Sequence, residues 1–239
     1  MITAEHAGGV TVLTIDRHER RNAVDLDHCR QLQAAVQQAP GRAVVLTGAG
    51  SAFCAGADLT GVYGAEFRHA LYDLLACLAD RPVPVIAAIN GAAIGAGVQL
   101  ALACDVRVAV DAARFAIPTA RNGLAVDPWT VRRIAELAGG GTARGLLIGC
   151  ETYSADFALA RGLIDRIGTV EQALDWAREL AELAPLTHRY NKLALAGIDP
   201  DGPSPAAVAA AFEACWNSAD RAEAEQARRE GRKPHFTGR

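Results

Sequence analysis

No apolar run in this chain reaches the length of a membrane span, and its N-terminus lacks the charged-then-apolar pattern of a secretory signal. A soluble, cytoplasmic protein is therefore expected. Cysteines in CxxC spacing are also missing. The six that occur (Cys29, Cys54, Cys77, Cys104, Cys150 and Cys215) are scattered, several on apolar faces, so buried free thiols in a reducing compartment are expected. Basic charge is not in excess: the net charge is −3, and the C-terminal cluster Arg228, Arg229, Arg232 and Lys233 is too small to wrap a nucleic-acid backbone. The six histidines are dispersed, with no HExxH and no cysteine partners, which argues against a transition-metal site. There is no GxxxxGK[ST] phosphate loop and no GxSxG nucleophile elbow. Gly95-Ala96-Gly97 begins like a dinucleotide fingerprint, but the third glycine is absent and the preceding strand ends too early for the tight turn. No metal and no resident cofactor are expected. His69 reads as an ordinary surface or half-buried histidine rather than a base.

The 239 residues suit one large domain, or a domain with a smaller appendage. We divide the chain into a core, residues 1–195, and a C-terminal helical region, residues 196–239. Val10–Ile15 has the composition of a half-buried strand, and Ala43–Thr47, Val85–Ile89 and Asp105–Val110 are short apolar strands. Arg114–Ile117 and Ile164–Ile167 read as two shorter ones. Asp25 or Asp27 can start a helix with the stripe Leu26, Cys29, Leu32 and Val36. Phe67, Leu71, Leu74, Leu75 and Leu78 mark a second helix, and a third opens near Ala96. Phe67, Leu71 and Leu75 are candidates to line an apolar tunnel, though such spacing also describes plain core. Apolar strands alternating with helices predict an α/β fold with a parallel sheet. After Asp127 the pattern is mainly helical. Ser154 reads as a cap and Gly162 as a helix stop; Gly197–Pro205 reads as a linker into a helix over about Ala206–Ser218.

Two loops rich in glycine and alanine, residues 48–58 and 90–97, each follow a buried strand and precede a helix. Small residues there permit close backbone approach, and amide N–H groups at helix starts can converge on one carbonyl oxygen. The segments Phe53-Cys54-Ala55-Gly56-Ala57-Asp58-Leu59, Ile89-Asn90-Gly91, Gly95-Ala96-Gly97 and Ala103-Cys104-Asp105 together resemble the enoyl-CoA hydratase/isomerase (crotonase) family. Arg20-Arg21-Asn22-Ala23 resembles the family segment under the CoA moiety, and Glu230…Arg232-Lys233…Phe236 its usual ending. The resemblance implies a ClpP-like spiral of ββα units, a helical C-terminal region that builds trimers or pairs of trimers, and an acyl-CoA pocket. By position, Ala57 and Ala96 would supply the oxyanion N–H groups. Arg21, Ala23, Ala55, Asp58 and Lys233 would contact the ligand, with Arg20 and Arg232 as further basic candidates. Asp58 also reads as an anchor of its own loop.

The family pattern breaks at the acid–base positions. Family hydratases carry one glutamate three residues after the second oxyanion position and another twenty residues later; here those places hold Gln99 and Thr119. An amide holds a water but cannot take its proton at neutral pH. Each general acid–base group is worth roughly 10²–10⁴ in rate, so ordinary hydration should be largely lost. The same double loss resembles a mycobacterial-type subgroup that keeps the acyl-CoA site, with which this chain shares a Gly-Leu-Ala-Asp-Trp-like run. The position of Asp127 resembles the site of a second carboxylate in the family's dienoyl-CoA isomerases, and Asp127 also forms a good Ncap–N1 pair with Pro128. Three functions follow: an acyl-CoA binder in fatty-acid or lipid metabolism, an enoyl- or dienoyl-CoA isomerase relying on Asp127, or an ordinary hydratase. A protein partner in fatty-acid synthesis is left open.

Overall fold

The computed structural model describes residues 1–60, 64–197 and 202–239. Strands β1 (Ile2–Ala7) and β2 (Val10–Ile15) form an antiparallel hairpin at the edge of a six-stranded sheet. Parallel to β2 run β3 (Ala43–Gly48), β5 (Val85–Ile89), β7 (Val106–Ala109) and β10 (Arg166–Ile167), in that order. A second sheet holds β4 (Ala52–Cys54), β6 (Ala92–Ile94), β8 (Arg114–Ala116) and the antiparallel β9 (Thr152–Ser154).

Each of β3, β5 and β7 is followed at once by its partner in the second sheet, and then by helix α2 (Ala65–Ala79), α3 (Ala96–Ala103) or α4 (Pro128–Leu147). The chain thus repeats a ββα unit and moves one strand across both sheets at each turn. Helix α1 (Leu26–Gln38) starts at Asp25, whose carboxylate accepts the His28 N–H, and it buries Cys29, Leu32 and Val36.

The core follows from period-two alternation in the central strands. Val44 and Leu46 of β3, with Ala87 and Ile89 of β5, face α1 and α2 with Leu32, Leu74 and Leu78. Ala43, Val45, Ile86 and Ala88 face the opposite side. There α6 (Val170–Ala181) presents Ala173, Ala177 and Ala181, one small residue per turn. Small residues on that stripe let the helix lie close against the sheet.

Helix α5 (Ala155–Ala160) is capped by Ser154, and Gly162 follows it at φ +76°. The last strand is shorter than the sequence suggests. Asp165, expected inside it, instead pairs with the buried Arg107 (2.9 Å) and accepts that residue's N–H. Helix α7 (Pro185–Ala196) bridges the core and the C-terminal segment: Lys192 reaches Asp105 Oδ2 at 2.7 Å, while the other side packs on α8 (Pro205–Trp216). Helix α8 starts one residue earlier and ends two residues earlier than expected, because Ser204 caps it and Ser218 begins α9 (Ala219–Glu230). Part of the expected linker, residues 198–201, lies outside the described residues. No described helix is long and apolar enough to cross a membrane.

Candidate functional site

Three segments distant in sequence meet where the strands give way to loops. The first is 21–24. Arg21 and Asn22 both adopt left-handed φ (51° and 60°), and the Asn22 side chain, fully buried, fixes the turn. Its Nδ2 donates to Ala49 O (2.8 Å) and Ala52 O (2.7 Å), while its Oδ1 accepts the Arg17 N–H. The segment then runs beside the second one, 55–58: Ala55 N–H donates to Arg21 O, Val24 N–H to Gly56 O, and Asp58 N–H to Val24 O. The bridge between Val24 and Ala57 uses those last two bonds, so the Ala57 N–H lies outside the ladder.

The third segment is the β6–α3 junction. Gly95 N–H donates to Ala116 O (2.8 Å), and Gly95 takes a φ of +52° that starts α3 at Ala96. The Ala96 amide belongs to the first helical turn, whose N–H groups have no intrahelical acceptor. A Cβ on Gly56 would sit 2.9 Å from Ile94 O and 3.9 Å from Ala96 N, so the two loops touch through glycine. Gly97 likewise lies against Cys54 O with no room for a side chain. Ala23, Ala55, Ala57 and Ala96 are therefore brought into one place.

Gln99 stands one helical turn beyond Ala96 on the same helix face, with 4% of its surface exposed. Its Nε2 donates to Asp127 Oδ2 and to Thr130 Oγ1, both at 3.0 Å. Asp127 is the N-cap of α4: Oδ1 accepts the Thr130 N–H at 3.0 Å, and Oδ2 accepts the Thr130 hydroxyl at 2.6 Å. One carboxylate thus caps a helix and accepts the Gln99 amide. Thr119 follows β8 in a short 3-10 turn, three residues beyond the Ala116 carbonyl that holds Gly95. Its side chain is half-buried and makes no hydrogen bond among the described residues.

Sequence reading missed two neighbours. Tyr72 of α2 is half-buried; burial raises its hydroxyl pKa, and the negative charge of Asp127 pushes the same way. Its only signal in the sequence was an aromatic residue beside the apolar stripe. Arg17 was missed outright. Its Nη2 meets Asp58 Oδ2 at 2.9 Å, and its Nη1 donates to Ala23 O at 3.1 Å. Asp58 also accepts the Thr60 hydroxyl (2.7 Å) and N–H (3.1 Å); these bonds first, and then Arg17, hold its carboxyl below the usual carboxylate range. Its carboxylate is thereby used to anchor the loop.

The basic candidates separate. Arg20 and Arg21 are exposed beside the site. Lys233 is not brought to it within one chain: its ammonium lies 3.8 Å from Glu182 at the end of α6, and the tail carrying it passes Arg42, which donates to Phe236 O at the start of β3. Arg232 is taken up by Glu223 and Glu230. His69 is exposed on α2, and Phe67, Leu71 and Leu75 are buried in the main core. The Cys54 and Cys29 thiols are pushed up to about 12 by burial, so neither is a ready nucleophile. Among the described residues, no group of three or more His, Cys, Asp or Glu is placed to hold a metal.

The ββα spiral and the two small-residue loops that touch at its edge point to one class. The family model for enoyl-CoA hydratase/isomerase matches residues 5–239, and the chain belongs to that family, with the crotonase fold. A protein of Mycobacterium bovis named "Probable enoyl-CoA hydratase echA6" is 43% identical over 245 residues, spanning all of both chains. A "Probable enoyl-CoA hydratase" of Rhodobacter capsulatus is 37% identical, covering all of this chain and 98% of its own. Among solved structures, an enoyl-CoA hydratase from Bacillus anthracis superposes with a TM-score of 0.86 at 32% identity, covering 100% of this chain and 99% of that one.

Proposed function

We propose that this protein binds acyl-CoA thioesters in the cytoplasm, within fatty-acid or lipid metabolism, without the turnover of an ordinary hydratase. The observation that carries the reading is the contact between Gln99 and Asp127. Where a hydratase of the family has a carboxylate free to move a proton, this chain has an amide whose two hydrogens are already donated. The Thr119 hydroxyl is no base without an activating partner. The Ala57 and Ala96 amides remain suited to polarise a thioester carbonyl, and Arg21, Ala23 and Ala55 flank them to receive the CoA moiety. Lys233 would contribute only from a neighbouring protomer. The reading calls for no resident cofactor or metal.

Oligomerisation as a trimer or a dimer of trimers is part of the proposal. It is supported by apolar surface on the C-terminal helices: Leu195 is 66% exposed and Trp216 60%. Such side chains are ordinary at a subunit interface and costly in water.

The test is hydration of trans-2-enoyl-CoAs of several lengths by purified protein, with binding measured alongside. Tight binding with no hydration is the expected result. Hydration at ordinary enzyme rates would refute the proposal. One observation keeps an isomerase in view: Asp127 Oδ2 lies one hydrogen bond from the position of a family glutamate. Turnover of 3-enoyl- or dienoyl-CoA that disappears in Asp127→Asn, with binding retained, would establish that reading instead.

A further inference from the structure

Two asparagine side chains from different segments grip the turn between β3 and β4, residues 48–52. Asn90 Nδ2 donates to Gly48 O (2.8 Å) and Gly50 O (2.9 Å), and its Oδ1 accepts the Gly48 N–H at 3.3 Å. One side-chain amide thus meets both polar groups of Gly48, and it continues the β3–β5 pairing past Leu46 and Ala87, the last paired residues. Asn22 holds the turn at Ala49 O and Ala52 O, with its Oδ1 on the Arg17 N–H. The remaining carbonyl, Ser51 O, lies against Gly91, where there is no room for a Cβ. Both hydrogens of each side-chain amide are spent on the turn, so neither can rotate without losing its bonds, and neither has a hydrogen left for a ligand.

Each of these asparagines leads into one of the two candidate amides. Asn22 lies in the segment that pairs by backbone with 55–58, and Asn90-Gly91 runs straight into β6, Gly95 and Ala96. The direct ladder between β4 and β6 is weak. Each strand has three residues, paired only at Ala52–Ala92 and Cys54–Ala93, with a register shift between the two pairs. So short and irregular a pairing specifies its own register poorly. The contacts at Gly56 and Gly97 let the loops approach closely without fixing how far one slides along the other. We infer that Asn22 and Asn90 are positioning residues: through the turn they share, they set the register of β4 on β6. With it they set the placement of the Ala57 amide relative to the Ala96 amide. The inference rests on the acyl-CoA reading above and adds the residues that hold its two amides to one carbonyl.

The experiment compares the full-length protein with Asn90→Ala and Asn90→Asp. Asparate keeps the shape and the acceptor for the Gly48 N–H but can donate to neither carbonyl. The ligands are a saturated acyl-CoA, isotope-labelled at the thioester carbonyl carbon, its thioether analogue without the carbonyl, and free CoA. By calorimetry, both variants should bind the thioester about tenfold more weakly, the scale of one hydrogen bond, and the thioether less than about twofold more weakly. The infrared stretch of the labelled carbonyl, which two N–H donors should lower in wild type, should move part of the way back towards its value in water. Asparagines that only steadied the fold would lower the melting temperature, weaken both ligands alike and leave the stretch in place. That result would overturn the inference and leave the acyl-CoA reading intact. If neither variant folds, hydrogen exchange on wild type decides: backbone amides of 52–56 and 92–95 should open together, and independent opening would overturn the inference. Failure of the thioester to bind wild type better than free CoA would overturn both.

Discussion

Arg17 Nη2 lies 2.9 Å from Asp58 Oδ2, and the same guanidinium reaches the carbonyl of Ala23 and, at 3.3 Å, the carboxylate of Asp25. One side chain therefore ties the turn at 21–24 to the loop that carries the Ala57 amide, and both to the cap of α1. Arg17 is 19% exposed and the Asp58 side chain 11%, so neither charge is fully screened by water.

Replacing Arg17 by Met should cost about 1.5–3 kcal/mol of stability, the usual scale for hydrogen bonds to charged groups. It should also weaken acyl-CoA binding several-fold. Arg17→Lys should recover only part, because an ammonium cannot span the three acceptors as a planar fork does. Thermal melts and calorimetry on both variants check this. A thioether analogue of the ligand, lacking the carbonyl, should bind wild type and Arg17→Met with nearly equal affinity if the loss is at the oxyanion amides.

Changing Gln99 to Glu would bring a second carboxylate to about 3 Å from Asp127. Two such groups cannot both ionise cheaply, so the pair should hold a proton with a raised pKa. A raised folded-state pKa destabilises above that value, and the loss is recovered as pH falls through it. The Gln99→Glu protein should thus melt well below wild type at pH 8, with the gap closing towards pH 5. Equal gaps at both values would mean that the two carboxylates do not share a site. Hydration should not return with this single change, since position 119 still lacks an acid or base.

At Asp127 the capping and chemical roles are separable. Asparagine also caps well, whereas alanine loses about 1 kcal/mol at an N-cap. Asp127→Asn should melt near wild type and Asp127→Ala clearly below it. Any isomerase turnover that depends on the carboxylate would vanish in both.

The loop glycines differ in what they tolerate. Gly97→Ala drives a methyl into Cys54 O, and Gly56→Ala meets Ile94 O at 2.9 Å with a φ of +105°. Each should cost roughly 3 kcal/mol or more and yield little soluble protein. Gly95 has open space but a φ of +52° with ψ −112°, outside the left-handed helical well, so Gly95→Ala should cost about 1–3 kcal/mol through backbone strain alone. Comparing soluble yields and melts of the three separates clash from backbone strain.

Acid sensitivity should centre on carboxylates held below their usual range. At Asp25, burial pushes upward, but the backbone and side-chain hydrogen bonds with His28 outweigh it. Asp58 is lowered by Thr60 and Arg17, and Glu223 falls to about 2 through Arg232 and the His235 N–H. A depressed folded-state pKa gives stability that is present above the unfolded value and is lost as pH falls through the folded one. Melting temperature should hold down to about pH 5 and decline steadily below about pH 4.5. Glu223→Gln should flatten the lower part of that decline.

Much of this was legible in the chain. The central strands could be read because alternation puts Val44 and Leu46 on one face and Ala43 and Val45 on the other. The caps Ser154 and Asp127 could be read because capping acts over three residues. β1, β4, β6 and β9 were not recognised. β4 and β6 have three residues each, too few for a period, and they exist because the neighbouring ββα unit supplies a partner. Arg17 carried no pattern at all, since Asp58 lies too far along the chain for any local rule.

The sequence by itself determined the α/β class, the family, the two small-residue loops and the loss of both glutamates, because each is a matter of residue type and short-range spacing. Only the tertiary structure decided what Gln99 does. Its partners Asp127 and Thr130 lie 28 and 31 residues away, and their acceptor character alone turns the amide oxygen outward. Only the tertiary structure separated Arg21, at the site, from Lys233, paired with Glu182 elsewhere in the protomer. Periodicity and capping act through neighbouring φ and ψ angles and so survive in one dimension. The pairing of polar groups across loops depends on how the two sheets stack, and that is settled only when the core packs.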